Sequence, residues 1–94
     1  MDVDGRIVRQ FKTQLNASLQ FNAPRYLLLD ANNHVIVADQ INERIVLLKP
    51  DLQLKRILIP KLLEQPFRIC LNKESGLLFI VCYYSREITL FKTL

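Results

Sequence analysis

The sequence predicts an all-β fold, a fragment of a β-propeller, and three observations lead to this prediction. A stretch of the chain occurs twice, since Pro24 and Pro66 lie 42 positions apart and each opens a similar series of short apolar segments. A period of about 40–50 residues made of short strands is typical of a propeller blade. The longest uninterrupted apolar run, residues 77–84, has the length of a buried strand, and no segment keeps helical periodicity over three turns.

The first unit, residues 24–59, is predicted to be an antiparallel blade of four strands. Its first strand is almost continuously apolar, so we expect both faces of that strand to be covered. The first turn contains Asn33, which can take the left-handed conformation that Gly would otherwise supply. The fourth strand carries more charge and is expected at an outer edge. The four strands are predicted at residues 27–30, 35–39, 44–48 and 54–59.

The second unit, residues 66–92, repeats this plan but stops after three strands, predicted at 67–71, 77–82 and 87–91. Ile45 and Ile88 lie 43 positions apart, one more than the two prolines, so one extra residue is expected in the first turn. A turn near Ser75 and Gly76 would place Cys70 almost opposite Cys82 on the neighbouring strand. A disulfide between them is the alternative, but without secretory signals we expect these thiols to be reduced and buried.

Residues 5–11 are predicted to be the outer strand of a preceding blade, because their nearest internal match is residues 51–57. Two blades cannot close a ring. Residues 1–94 are therefore interpreted as part of a larger propeller, or as a subunit that completes a ring by self-association. Met1 would fall inside such a ring, whereas an end at Leu94, directly after a third strand, fits a C-terminus.

The first unit also carries a motif of turn, charge and strand positions in one order. It reads P-x-x-x-x-x-D, then N-N, then V-x-V-A-D-x-x-N-x-R-I, and it resembles the NHL repeat, the blade of NHL β-propellers. Asn33 stands where that family usually has Gly. The residues that carry the resemblance are Pro24, Asp30, Asn33, Val37, Ala38, Asp39, Asn42, Arg44 and Ile45.

The second unit departs from this motif. It keeps Pro66, Gly76 and Ile88, but the expected Asp, Asn and Arg are replaced, and its first strand ends in Asn72. Its assignment as a blade rests mainly on spacing and apolar pattern. The three replacements are Cys82, Ser85 and Glu87.

Arginines and tyrosines recur where the first strand begins and where the second and third strands join, positions that share one face of a propeller. Arginine binds phosphate as a fork, and aromatic rings stack on bases. The net charge of +4 is compatible with an acidic protein or a nucleic acid as the partner. The candidate binding residues are Arg25, Tyr26, Arg44, Arg68, Tyr83, Tyr84 and Arg86. The alternative is that the tyrosines pack between blades while the arginines pair with Asp39, Glu43 and Glu87.

The resemblance implies a non-catalytic module that recruits a protein or single-stranded RNA. In the family such a domain often forms the recognition end of a tripartite-motif ubiquitin ligase, whose RING and B-box zinc modules are not among these 94 residues. The alternative is a fragment of a propeller enzyme, a lyase or a lactonase-like hydrolase.

Catalytic and metal-binding chemistry is disfavoured by the residues themselves. Asp39, Asn42 and Arg44 are predicted to stabilise a turn. His34 is the only histidine and lies in a predicted turn, where we expect it to be exposed. Two cysteines and one histidine without a Cys-x-x-Cys do not make a zinc site, so we expect no metal and no cofactor.

The distribution of apolar residues favours a soluble, cytoplasmic protein with no membrane partner. The first twenty residues are polar and charged, unlike a signal peptide. No apolar run approaches the roughly 20 residues that cross a bilayer.

Overall fold

A computed structural model describes residues 5–7, 20–59, 61, 64–83 and 87–93 of the chain. The predicted all-β class is confirmed: the described residues form two antiparallel sheets of four and three strands, as in a propeller fragment, and the sheets do not close into a ring. The first sheet contains β1 (Pro24–Leu29), β2 (Val35–Asp39), β3 (Arg44–Leu48) and β4 (Leu54–Ile59). The second contains β5 (Pro66–Asn72), β6 (Leu77–Cys82) and β7 (Ile88–Lys92).

Both sheets are meanders, in which each strand pairs with the next strand of the chain. β-branched and other apolar residues fill β2 and β3, and such residues favour a packed, pleated strand. The turn between β1 and β2 is held by Asp30, whose Oδ1 accepts hydrogen bonds from the backbone N–H groups of Asn32 and His34 at 2.8 and 2.9 Å. Asn33 has a φ of 64°, which confirms its predicted left-handed conformation.

The two units share an irregularity at the start of their first strands. Pairing shifts by one residue after Pro24 in β1 and after Pro66 in β5, so Arg25 and Phe67 are the extra residues of two equivalent bulges. Beyond the bulge, Leu27 pairs with Val37 in the first unit and Ile69 with Ile80 in the second. The corresponding offsets are 42 and 43 positions, which confirms that the second unit has its extra residue in the first turn.

One apolar core lies between the sheets. Ile36 and Ile45 of the first sheet belong to the same buried cluster as Ile69, Leu78 and Ile80 of the second. β5 contacts both β1 and β2, so the second sheet packs against the half of the first sheet that contains these two strands. Full burial of one such side chain stabilises a fold by roughly 1.5–3 kcal/mol, so this core is the main link between the two units.

A second cluster occupies the other face of the first sheet. Val35, Val37, Val46 and Leu48 are buried there, with Phe21 packed against them. The expectation that β1 is covered on both faces is wrong, since most of its side chains are exposed. β1 is an edge strand of its sheet. Among the described residues, no other element covers most of its apolar side chains.

Two segments were predicted to be outer strands, residues 54–59 and residues 5–11, and the outcome differs between them. β4 is an edge of the first sheet, as its charge predicted. Residues 5–7 are not part of a strand, and residues 8–11 of the predicted outer strand lie outside the described residues. Within the part of the chain that is described, no helix is long and apolar enough to cross a membrane.

The prediction for the cysteines is wrong in its geometry. Cys70 pairs with Phe79 and is exposed, whereas Cys82 pairs with Pro66 and is buried on the opposite face. The turn is centred nearer to the start of the chain than Ser75–Gly76, and this separates the two thiols along the ladder. Both cysteines are free. Burial raises the pKa of the Cys82 thiol, and the nearby Glu64 carboxylate raises it further.

We expect one of the two thiols to react rapidly under native conditions. Cys70 is accessible, whereas Cys82 is buried and its raised pKa disfavours the reactive thiolate. A time course with a chromogenic disulfide should show one fast thiol in native protein and two in denatured protein. Cys70→Ser should remove the fast phase and Cys82→Ser should leave it, and equal reactivity of both native thiols would contradict this arrangement.

Candidate functional site

Four of the seven candidate binding residues converge at the end of the sheets where β1 and β5 begin, and Phe67 joins them. The β1 bulge presents Arg25 and Tyr26, the β5 bulge presents Phe67 and Arg68, and Tyr83 directly follows β6. A bulge re-aims the side chains beside it. Equivalent bulges in neighbouring sheets therefore bring two pairs of side chains to the line along which the two sheets meet, which we call the seam.

These five residues form a connected group, which we call the Arg/Tyr surface. The Phe67 and Tyr83 rings stack, with centroids 4.5 Å apart and an interplanar angle of 24°. The guanidinium carbon of Arg68 lies 5.5 Å from the centre of the Tyr26 ring, within cation–π range. Arg25 Nη2 is 3.5 Å from the Tyr83 hydroxyl, at the outer limit of a hydrogen bond.

The Arg/Tyr surface combines exposed cations with supported rings. Arg25, Tyr26 and Arg68 are exposed, while Phe67 and Tyr83 are half-buried. Because the arginines are already in contact with solvent, they can bind an anion without any movement out of an apolar interior. The half-buried rings provide a fixed aromatic surface beside them. Phosphate or carboxylate recognition together with stacking is the chemistry that this arrangement allows.

Two of the candidate residues, Tyr84 and Arg86, lie outside the described residues. A third, Arg44, is not on the exposed surface. It is buried and its Nε donates to Asp39 Oδ2 at 2.7 Å, so its place in the predicted binding set is corrected. The alternative expectation, that this arginine pairs with Asp39, is confirmed.

Asp39 is the centre of a buried polar network. Its Oδ2 also accepts from Asn42 Nδ2 at 2.8 Å, and its Oδ1 accepts from the backbone N–H of Asn22 at 2.7 Å. Arg44 Nη2 and Asn42 Nδ2 both donate to the carbonyl of Gln20 at 2.9 Å. The network thus joins the β2–β3 turn to the segment before β1, and the predicted stabilising role of these three residues is confirmed.

The remaining motif positions serve the backbone. Pro24 and Pro66 stand at the two bulges, where a missing N–H group removes no regular ladder bond. Gly76 has a φ of 73° in the β5–β6 turn, and its N–H donates to the carbonyl of Asn72 at 2.8 Å. These residues shape the turns and do not take part in the Arg/Tyr surface.

A polar cleft at the opposite end of the first sheet was not foreseen. His34 is half-buried, contrary to expectation, with Nδ1 3.1 Å from Asp30 Oδ2 and Nε2 3.2 Å from Lys55 Nζ. With Arg56 and Thr93 these residues line a cleft of about 240 Å³. The spacing of Asp30 and His34 across a turn was the available signal.

Asp30 is held in its charged form. Partial burial raises its pKa, but hydrogen bonds from the N–H groups of His34 and Asn32 and the charge of His34 outweigh it, so the pKa is lowered overall. The carboxylate fixes the turn, and both ring nitrogens of His34 are within hydrogen-bond distance of a neighbour. The arrangement supports a structural role for this pair.

Among the described residues, no three or more His, Cys, Asp or Glu side chains are grouped so that they could hold a metal ion. No protein-family model, no curated protein and no solved structure matches the chain.

Removal of the Asp39 carboxylate should destabilise the fold strongly. Asp39→Ala leaves the buried guanidinium of Arg44 without its carboxylate, and such a loss costs about 3–5 kcal/mol. Chemical denaturation of the full chain, followed by circular dichroism, measures the free energy of unfolding. Asp51→Ala is the matched control, because its exposed carboxylate accepts one turn hydrogen bond and should cost less than about 1 kcal/mol. Equal effects of the two variants would contradict the central role of the network.

Asp30 should make the fold sensitive to acid. Its folded pKa is lower than its unfolded pKa, so its contribution to stability is complete above the unfolded value, about 3.9, and is lost as pH falls through the folded value. Denaturation midpoints measured from neutral pH downward should fall more steeply for wild type than for Asp30→Asn. Parallel pH curves would show that Asp30 makes no linked contribution.

Proposed function

We propose that the chain is a non-catalytic binding module of an NHL-type β-propeller and that it binds single-stranded RNA on the Arg/Tyr surface. The observation that carries this proposal is the contact between cations and rings from two different sheets at one seam. Arg25 lies beside Tyr83, and Arg68 lies over Tyr26.

Single-stranded nucleic acid suits this surface for two physical reasons. Guanidinium groups bind phosphates through paired hydrogen bonds, and exposed bases stack on aromatic rings or on guanidinium planes. The exposed cations stand next to rings rather than next to carboxylates in the contacts described above. The net charge of +4 adds a long-range attraction to a polyanion.

The NHL assignment is supported by the way its motif residues act together. The Asp39, Asn42 and Arg44 side chains form one hydrogen-bonded unit, and Asn33 adopts the conformation for which the family usually has Gly. We propose that the module serves as the recognition end of a cytoplasmic tripartite-motif ubiquitin ligase, in which other modules bind zinc and carry out transfer.

The enzyme alternative has less support. A lyase or hydrolase needs a group that is available to take a proton from the substrate. The pair closest to that description, Asp30 and His34, is engaged in its own turn and with Lys55. The five residues of the Arg/Tyr surface are groups for binding and include no histidine or carboxylate to act as a general base.

RNA binding should depend on the two exposed arginines and on salt. We expect the full chain to bind a labelled single-stranded RNA of about 10 nucleotides, with a slope of log affinity against log salt of about −0.7 for each phosphate neutralised. Arg25→Ala with Arg68→Ala should weaken binding and make this slope shallower by roughly 1.4. Fluorescence anisotropy across a salt series measures both effects.

Arg56→Ala is the matched control, because Arg56 is also exposed but lies at the other end of the sheets and donates to the carbonyl of Thr93. It should leave affinity and slope unchanged. If wild-type chain fails to bind RNA, the RNA proposal is wrong and a protein partner becomes the better hypothesis. If Arg56→Ala weakens binding as much as the double variant, binding does not use the Arg/Tyr surface.

A further inference from the structure

The outer face of the second sheet carries exposed apolar side chains. Phe79 is 38% exposed, Ile88 is 66% exposed and Leu90 is 55% exposed. Pairing places Phe79 directly beside Leu90, and Ile88 beside Val81 on the same face. Soluble proteins seldom leave several large apolar side chains side by side in water unless the patch has a partner.

The repeat shows what covers such a face. The positions equivalent to Phe79, Ile88 and Leu90 lie 43 residues earlier, at Ile36, Ile45 and Leu47. All three are buried, and the second sheet packs against them. The same face of the same blade is therefore covered in the first unit and open in the second.

The complementary face is open at the other side of the molecule. The second sheet reaches the shared core partly through Ile69 and Leu71 of β5. Their equivalents, 42 positions earlier, are Leu27 and Leu29 of β1, which are 61% and 46% exposed. The exposed face of the second sheet is thus equivalent to one side of the interface between the two sheets. The exposed side chains of β1 are equivalent to the other side.

We propose that the outer face of the second sheet docks on the outer face of the first sheet of another copy of this chain. The contact uses strand faces equivalent to those that meet between the two sheets of one chain, but on the first sheet it involves β1. It is head-to-tail, so two or more copies close a ring if the rotation per copy allows and otherwise extend as an array. The middle of the first sheet's outer face is already buried around Phe21, so the new contact is made at β1, where Leu27 and Leu29 are exposed.

The test is the oligomeric state of the full chain. Sedimentation velocity over a range of concentrations should show the 11.0 kDa chain associating into dimers or larger species. Leu90→Lys places a charge on one docking face and Leu27→Lys on the other, and each should raise the association midpoint at least ~10-fold. Ile41→Lys is the matched control, since Ile41 is exposed in the β2–β3 turn, away from both faces, and should associate as wild type does.

Mixing distinguishes head-to-tail docking from other arrangements. Leu90→Lys keeps the first-sheet face and Leu27→Lys keeps the second-sheet face, so an equimolar mixture should form heterodimers although each variant alone does not. Association of Leu27→Lys alone at the wild-type midpoint would show pairing of two second-sheet faces and would overturn the proposal. A wild-type chain that stays monomeric at every concentration would also overturn it.

Folding of each variant is checked by the protection of the buried Cys82 thiol. If Leu90→Lys loses that protection, Ile88→Lys changes the same face at a more exposed position and takes its place. In wild type, the exposed Cys70 lies on the docking face next to Phe79, so its reaction with a thiol reagent should slow as concentration rises. Ile41→Lys should show the same slowing, and an unchanged rate in wild type would count against burial of this face.

Discussion

Both faces of these sheets are apolar, and the need to remove both from water governs the structure. Every residue of β2 and β3 is buried, so the two central strands of the first sheet require cover on each side. The second sheet supplies that cover on one side through Ile69 and Ile80. The two sheets have the same design, so the face of the first sheet that the second sheet covers has an equivalent face on the second sheet. That equivalent face stays exposed. The stacking of like sheets is therefore both the source of cohesion and the source of the exposed apolar patches.

The units differ most where the first has its buried network. Asp39 and Arg44 are replaced in the second unit by Cys82 and Glu87. An aspartate without its arginine would be an uncompensated buried charge, whereas a thiol whose pKa is raised by burial stays neutral. Changing both members removes the ion pair without leaving one charge alone in the core. The first unit needs the network because it also fastens the segment before β1, through the carbonyl of Gln20 and the N–H of Asn22.

Much of the fold followed from the sequence because period, turn residues and strand composition agree. The strands at 35–39, 44–48, 54–59 and 77–82 have the predicted bounds, and the offset of one residue located an insertion in the correct turn. The predictions that were wrong concern features that depend on neighbouring elements of the structure. The apolar residues of β1 do not reveal whether a sheet lies against them, and the Cys70 pairing depends on where the turn is centred. Among the site residues, Arg44 was predicted both to stabilise a turn with Asp39 and to bind a partner, and its burial beside that carboxylate favours the first role.

The Arg/Tyr surface is a property of the seam rather than of either sheet. The bulge of β1 contributes Arg25 and Tyr26, and the bulge of β5 contributes Phe67 and Arg68. The Phe67–Tyr83 stack lies within the second unit, but both arginine–tyrosine contacts join one unit to the other. A bulge of the same kind opens the first strand of each unit, so every further seam that repeats the sheet–sheet interface brings two more such pairs together. Under the proposed docking, Phe67 and Arg68 of one copy would face Arg25 and Tyr26 of the next along the same rim. Burial of apolar faces would then set the spacing of the cations and rings, and an extended strand of nucleic acid would meet them at successive seams.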